Sequence, residues 1–221
     1  MKVRPAIALL MVHVTTVLLS GCVSNDRLDR TTPRQTLVQI NRSVSEGDLG
    51  GFLACVDYAP EERESLVCLY ELATAIRTLR DAVDNRFGDG AYAKLYDKGR
   101  EHQSVLARFD VDKAVIKTVD NLAFCYQPGG RELRLYRKNG VWRVDSLTML
   151  GAGDSDPYSA QTIAASRIMA GAMLRAAAEA EEPEATFVGV KEAFANEMMN
   201  VLCEVFGTMN KKPDDPSAPN E

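Results

Sequence analysis

Cys22 has the most reactive setting of any side chain in this sequence. A thiolate is a ready nucleophile, Ser20 and Gly21 in front of it are small enough to admit a peptidase, and Leu19 closes a mostly apolar run that begins at Ala6. The other candidates for chemistry are thinner. His13 lies inside the apolar run, which leaves His102 as the one histidine beyond it, beside Glu101 in a polar stretch. Its pKa range would suit a general base, but a lone histidine in such a stretch is more often a surface residue. Without it no Ser/His/Asp triad can be drawn. Cys55, Cys68, Cys125 and Cys203 sit among apolar neighbours and form no Cys-x-x-Cys pair, so a zinc site is not expected. Gly88-Asp89-Gly90 is shorter than a phosphate loop and lacks the Lys-Ser/Thr that would follow one. The carboxylates at 61–64 and 179–184 read as solvated helix ends, not as converging metal ligands. No catalytic, cofactor-binding or metal-ligating residue is therefore expected.

The first 21 residues have the anatomy of an export signal: the cations Lys2 and Arg4, then an apolar run too short to span a bilayer comfortably, then small residues. The tetrapeptide Leu19-Ser20-Gly21-Cys22 resembles the lipobox of bacterial lipoproteins. That resemblance implies that Cys22 takes a diacylglycerol on its thiol, becomes the first residue of the mature protein and anchors it to a membrane through several acyl chains, which hold more firmly than one. Val23, and not Asp, follows it, which by the sorting habit of enteric bacteria points to the outer membrane, facing the periplasm. Residues 22–31 then form a tether. Removing residues 1–21 takes away Lys2 and Arg4 and moves the formal charge from −5 to −7. An acidic chain of this kind lacks the cationic surface that nucleic acid needs, and its partners are expected to be the membrane, through the lipid on Cys22, and a small apolar ligand or an envelope protein. A homo-oligomer is left open. So is disulfide pairing, because four further cysteines in an oxidising compartment admit three connectivities.

The elements that would position any site begin at Thr32-Pro33, a hydroxyl cap followed by proline at the first helical position. Leu37, Ile40 and Val44 give that helix one apolar stripe, and Gly47 ends it. Asp48 caps a second, shorter helix expected to run through Phe52, Leu53 and Val56. Residues 60–87 read as one long helix with its stripe at Leu66, Leu69, Ala73, Ile76, Leu79, Val83 and Phe87, and a shorter helical stretch follows around Tyr92, Leu95 and Tyr96. From Lys113 the pattern changes to strands at 113–119, 122–127 and 131–138. Asn139-Gly140 is a strong hairpin signal. A two-residue loop there sets Lys138 against Val141, Arg137 against Trp142, Leu135 against Val144 and Arg134 against Asp145. This register gathers Leu133, Leu135, Trp142 and Val144 on one face and pairs opposite charges on the other. A loop over 151–157, an alanine-rich helix over 159–180, a last helix from about 184 to 206 and a polar, proline-bearing tail over 210–221 complete the chain.

The helix opened by Thr-Pro and closed by Glu46-Gly47-Asp48-Leu49, together with the ending Gly140-Val141-Trp142-Arg143-Val144-Asp145, resembles NTF2-like (cystatin-like) α+β domains, which many bacterial lipoproteins carry. The resemblance covers residues 32–146 at most. It implies a curved antiparallel sheet packed on N-terminal helices over 32–150, with a helical insertion at about 60–108 and a C-terminal helical extension, a helix pair, over 151–209. NTF2-like enzymes such as ketosteroid isomerases and polyketide cyclases work in a cone between sheet and helices, and the corresponding candidates here are Tyr126, Asp120 and Asp110. None sits in a motif that carries a role across; the aspartates suit turns and Tyr126 suits hairpin packing. Tyr70, Tyr92 and Tyr96 are expected to fill core. The surface from Ala164 to Ala178 fits either a partner or internal packing against the last helix, and packing is favoured. The expectation is a non-catalytic ligand-binding or protein-interaction module, with an enzyme of the isomerase, cyclase or hydrolase type and a structural envelope protein as alternatives.

Overall fold

In the computed structural model, residues 29–95, 111–126, 132–150 and 159–209 are described. The chain opens with helix α1 (Pro33–Glu46), where Thr32 is extended and its hydroxyl accepts from the Gln35 N–H, so one of the free donors of the first turn is satisfied. The helix stops at Gly47, in the left-handed region at φ 72°, where glycine carries no steric penalty. Helix α2 (Leu49–Ala54) follows at once. The Asp48 carboxylate caps it through the Gly51 N–H at 2.8 Å. A β-carbon on Gly51 would lie 2.1 Å from Asp48 Oδ2 and 2.7 Å from Ser43 Oγ, so only glycine allows α1 and α2 to approach this closely.

Strand β1 (Val56–Asp57) corrects the expectation that Val56 closes the second helix: the helix ends at Ala54 and the chain straightens. A 3₁₀ turn (Pro60–Glu62) leads into α3 (Arg63–Phe87), the longest element. Strands β2 (Val115–Val119), β3 (Leu122–Tyr126), β4 (Glu132–Lys138) and β5 (Val141–Asp145) then form an antiparallel meander. The sheet order is β1-β5-β4-β3-β2, and β1 runs parallel to β5 with Val56 opposite Val144. The curved five-stranded sheet is thus mixed, not purely antiparallel as expected. A two-residue strand has no amphipathic period to read, which is why sequence pattern could not find it.

The fold is α+β, with the sheet packed on the N-terminal helices. The β4–β5 hairpin has the expected register from Lys138–Val141 to Leu135–Val144. It departs at Arg134, whose side chain bonds Glu132 on its own strand at 3.0 Å instead of Asp145. The Arg134 N–H goes to Thr148 Oγ1, because the chain leaves β5 directly into a short helix, α4 (Ser146–Leu150), that the sequence reading passed over.

Two apolar clusters share the interior. The first lies between the sheet and the helices and contains Leu37, Ile40, Val44, Phe52, Leu66, Tyr70, Leu133, Leu135, Trp142 and Val144. The second lies among α3, α5 (Ala160–Glu181) and α6 (Phe187–Met209), with Ile76, Leu79, Val83, Met173, Ala177, Val190 and Phe194. Helix α3 supplies residues to both, so the region expected as an insertion carries a helix that ties the two clusters together. Helix α5 begins on a Ser159 cap as its pattern suggests. Helix α6 begins later than expected, at Phe187, because the Thr186 hydroxyl accepts from Gly189 N–H and Pro183 keeps the preceding residues out of helix. The alanine-rich face of α5 is internal: Ala170, Ala172, Ala176, Ala177 and Ala180 are all buried.

Candidate functional site

The space between sheet and helices, where an NTF2-like cone would open, is occupied by side chains. Phe52, Leu37, Leu66, Leu133, Leu135, Met149 and Val144 are fully buried there, and Trp142 is 4% exposed. Phe52 and Tyr70 rings pack at 5.3 Å. Polar groups in this interior are few. Thr36 Oγ1 donates to the Trp142 carbonyl at 3.2 Å and ties α1 to β5. Tyr70 Oη and Thr74 Oγ1, one turn apart on α3, are buried without a hydrogen bond of good geometry among the described residues. Burial pushes the Tyr70 phenol up, with the nearby Thr74 hydroxyl opposing it, so Tyr70 stays protonated at neutral pH.

The candidates for chemistry among the described residues do not converge. Asp120 is exposed in the β2–β3 turn with a positive φ of 52°, as the turn reading has it, and Tyr126 stands on the opposite end of β3 and faces solvent. Asp110, His102, Tyr96 and Cys22 lie outside the described residues. Cys55 and Cys125 are fully buried free thiols whose pKa burial pushes up to about 11; Arg30 opposes that at Cys55 and Arg34 at Cys125. Burial likewise raises Cys68, whose Sγ lies 3.3 Å from the Ile163 carbonyl. Cys203 is exposed and also free. Among the described residues no cluster of His, Cys, Asp or Glu could hold a metal ion, and no helix is long and apolar enough to cross a membrane.

The face of the sheet turned away from the helices has a different character. Side chains alternate along a strand, so with Ala123 and Cys125 buried inward, Leu122, Phe124 and Tyr126 of β3 point outward. The pairing register sets Val119, Leu122 and Tyr136 in one row across β2, β3 and β4. Lys117, Phe124 and Arg134 form the next, and Val115, Tyr126 and Glu132 the third. Val115 and Val119 are 57% and 61% exposed, and Tyr126 is 37% exposed. Lys117 Nζ sits 5.6 Å above the Tyr126 ring. Charged pairs rim the patch: Arg134 with Glu132, and Lys138 with Asp57 at 2.5 Å. The larger side chains of β3 therefore face outward and the smaller ones face the core. The sequence held a signal for this in Leu122-Ala123-Phe124-Cys125-Tyr126, a run that is apolar on both faces where an antiparallel strand with one wet face alternates.

No family model matches the chain, and no curated protein or solved structure matches it.

Proposed function

We propose that this chain is a lipid-anchored protein of the bacterial envelope, held through Cys22 at the outer membrane and facing the periplasm, whose NTF2-like domain is a non-catalytic protein-interaction module. The surface it uses is the outer face of the sheet. The observation that carries the reading is the inverted strand β3, with Leu122, Phe124 and Tyr126 outward over a core already filled by Phe52, Leu133, Leu135 and Trp142. An aromatic-apolar patch with a charged rim has the composition of an interaction site. A filled interior leaves a catalytic cone without room, and Tyr126 and Asp120 are too far apart along β3 to act on one substrate atom.

The reading is tested in cells with a photoreactive amino acid placed at Phe124, at Tyr126 and, as a control, at the exposed Asp81 on α3. A discrete adduct at the two sheet positions, weakened by Val119→Glu and absent at Asp81, is the expected result. An adduct of twice the chain mass would identify the partner as a second copy. Equal yields at all three positions would overturn the assignment of the face. The anchor is tested separately by Cys22→Ser and membrane fractionation; unchanged membrane association would remove that part alone.

A further inference from the structure

Strand β2 forms one edge of the sheet, and among the described residues no strand lies beyond it. All of Val115–Val119 except Lys117 are β-branched, the types that suit a pleated strand. The loop to β3 has two residues, so Val119 and Leu122 form a hydrogen-bonded pair and the pattern alternates from there. Val115, Lys117 and Val119 thus direct their backbone groups at β3, whereas those of Ile116 and Thr118 point out of the sheet.

Proteins guard such edges with very short strands, bulges, proline or an outward lysine. At the other edge, β1 is only two residues long. Strand β2 has no proline, and its pairing with β3 runs from Val115 to Val119 without a bulge. Its lysine leans back over the sheet, with Lys117 Nζ 5.6 Å from the centre of the Tyr126 ring on β3. A charge held there leaves the edge open.

We infer that β2 pairs antiparallel with β2 of a second copy, about a twofold axis at Lys117, to join the two sheets edge to edge. The strand is its own complement in this register. Ile116 and Thr118 of the second copy exchange hydrogen bonds, which uses the backbone groups that point outward. On the outer face the exposed Val115 meets Val119 of the second copy, and on the inner face the half-buried Ile116 meets its Thr118. Asp120 of the second copy falls opposite Ala114, beside Lys113, so opposite charges come together at both ends of the pair. The two Lys117 side chains face each other at the axis, but each leans away over its own Tyr126. Sliding the strands by two residues leaves two residues of each unpaired, and in one direction sets Asp112 against Asp120. This pairing goes beyond the use of the outer face as an interaction surface and does not need the anchor at Cys22.

Two five-residue strands bury less than the roughly 1,200 Å² of a stable interface, so the pair is expected to exchange, and covalent trapping is the assay. Full-length Val115→Cys and Val119→Cys chains with different tags, each also carrying Cys203→Ser, are produced together in cells and oxidised with copper phenanthroline. The proposed register brings the two new cysteines to non-hydrogen-bonded partner positions about 4.5 Å apart at Cα, within reach of a disulfide. Like positions lie four residues apart along the strands, or about 14 Å. A disulfide carrying both tags is therefore expected, and neither variant alone should exceed the Cys203→Ser background. Both chains keep Lys117, so the native edge is the one tested. Adding Thr118→Pro removes an outward N–H without touching the pairing to β3; it should abolish the mixed product while far-UV circular dichroism stays unchanged. No mixed disulfide, equal self-linking by Val115→Cys alone, or a product joined to a different protein would overturn the pairing. Because the photoreactive positions at Phe124 and Tyr126 read the face and these cysteines read the edge, either proposal can fail without the other.

Discussion

Leu79→Ala tests whether the two apolar clusters are one folding unit. Leu79 is completely buried in the helical cluster, on the part of α3 that faces α5 and α6, while the earlier turns of the same helix bury Leu66 and Tyr70 under the sheet. Truncating a fully buried leucine costs about 3 to 5 kcal/mol, since the cavity cannot collapse completely. With a urea slope near the upper end of the usual range, about 3 kcal/mol/M, the midpoint should fall by about 1 to 1.7 M. Two probes read the two clusters separately. Trp142, the single tryptophan, lies in the sheet cluster, and far-UV circular dichroism is dominated by the helices. Because α3 cannot lose its second half without freeing its first, both probes should move together and by the same amount. A Trp142 transition that stays in place while the dichroism transition shifts would show that the helices and the sheet unfold independently, and the reasoning from α3 would fail.

Three further outcomes follow from local geometry. Gly140→Ala should cost about 1 to 2 kcal/mol, measured by denaturation, because φ there is +80° and nothing lies within 4 Å of the added β-carbon, so the penalty is backbone strain alone; a neutral result would count against the turn. In native protein near pH 8, a maleimide should label Cys203 rapidly and spare Cys55, Cys68 and Cys125 until denaturant is added, as mass spectrometry of the labelled peptides would report; Cys55 reacting as fast as Cys203 would contradict its burial. Burial, more than any opposing charge, raises the pKa of Asp145, so its folded state holds the proton more tightly than the unfolded chain does. The stabilisation this gives is present below the unfolded value of about 4 and is lost as pH rises through the folded value. Asp145→Asn should therefore gain on the wild type between acid and neutral pH in parallel melts, and a widening advantage for the wild type would reverse the sign.

How much of this could be read in advance depended on whether an element carries its own pattern. The first helix did, because Thr32, the Leu37–Ile40–Val44 stripe and Gly47 mark start, face and stop within the element itself. The hairpin did, because Asn139-Gly140 fixes a register that places four apolar residues on one face. Strand β1 did not, being held only by its partner β5. Helix α4 follows β5 without a turn signal and buries only Ser146 and Met149, too few for a period. The outer sheet face was written in β3, but a run apolar on both faces reads equally as a strand buried on both sides, and only the buried Ala123 and Cys125 show which side is the core. The expected Arg134–Asp145 pair failed for a local reason: Glu132, two residues away on the same strand, competes for the guanidinium.

The chain entry point links the proposed anchor to the proposed interaction face. Residues 29–31, expected to belong to the tether, already take part in the fold: Asp29 accepts from Thr31 and Gln35 at the start of α1, and the Arg30 carbonyl pairs with Trp142. A tether from Cys22, if it ends where the described fold begins, would be shorter than the expected one by about three residues, or about 10 Å of reach. The sheet order places β1 and β5, beside which the chain enters, at one side and β2 at the other. An anchor at Cys22 would then hold the β1 edge of the sheet close to the headgroups, while Tyr126 on β3 and Val115 and Val119 on β2 lie three to four strand spacings from β1, or about 14 to 19 Å. On the proposed anchoring, that separation would leave the apolar patch free to meet a partner in the periplasm while the β1 edge stayed near the bilayer.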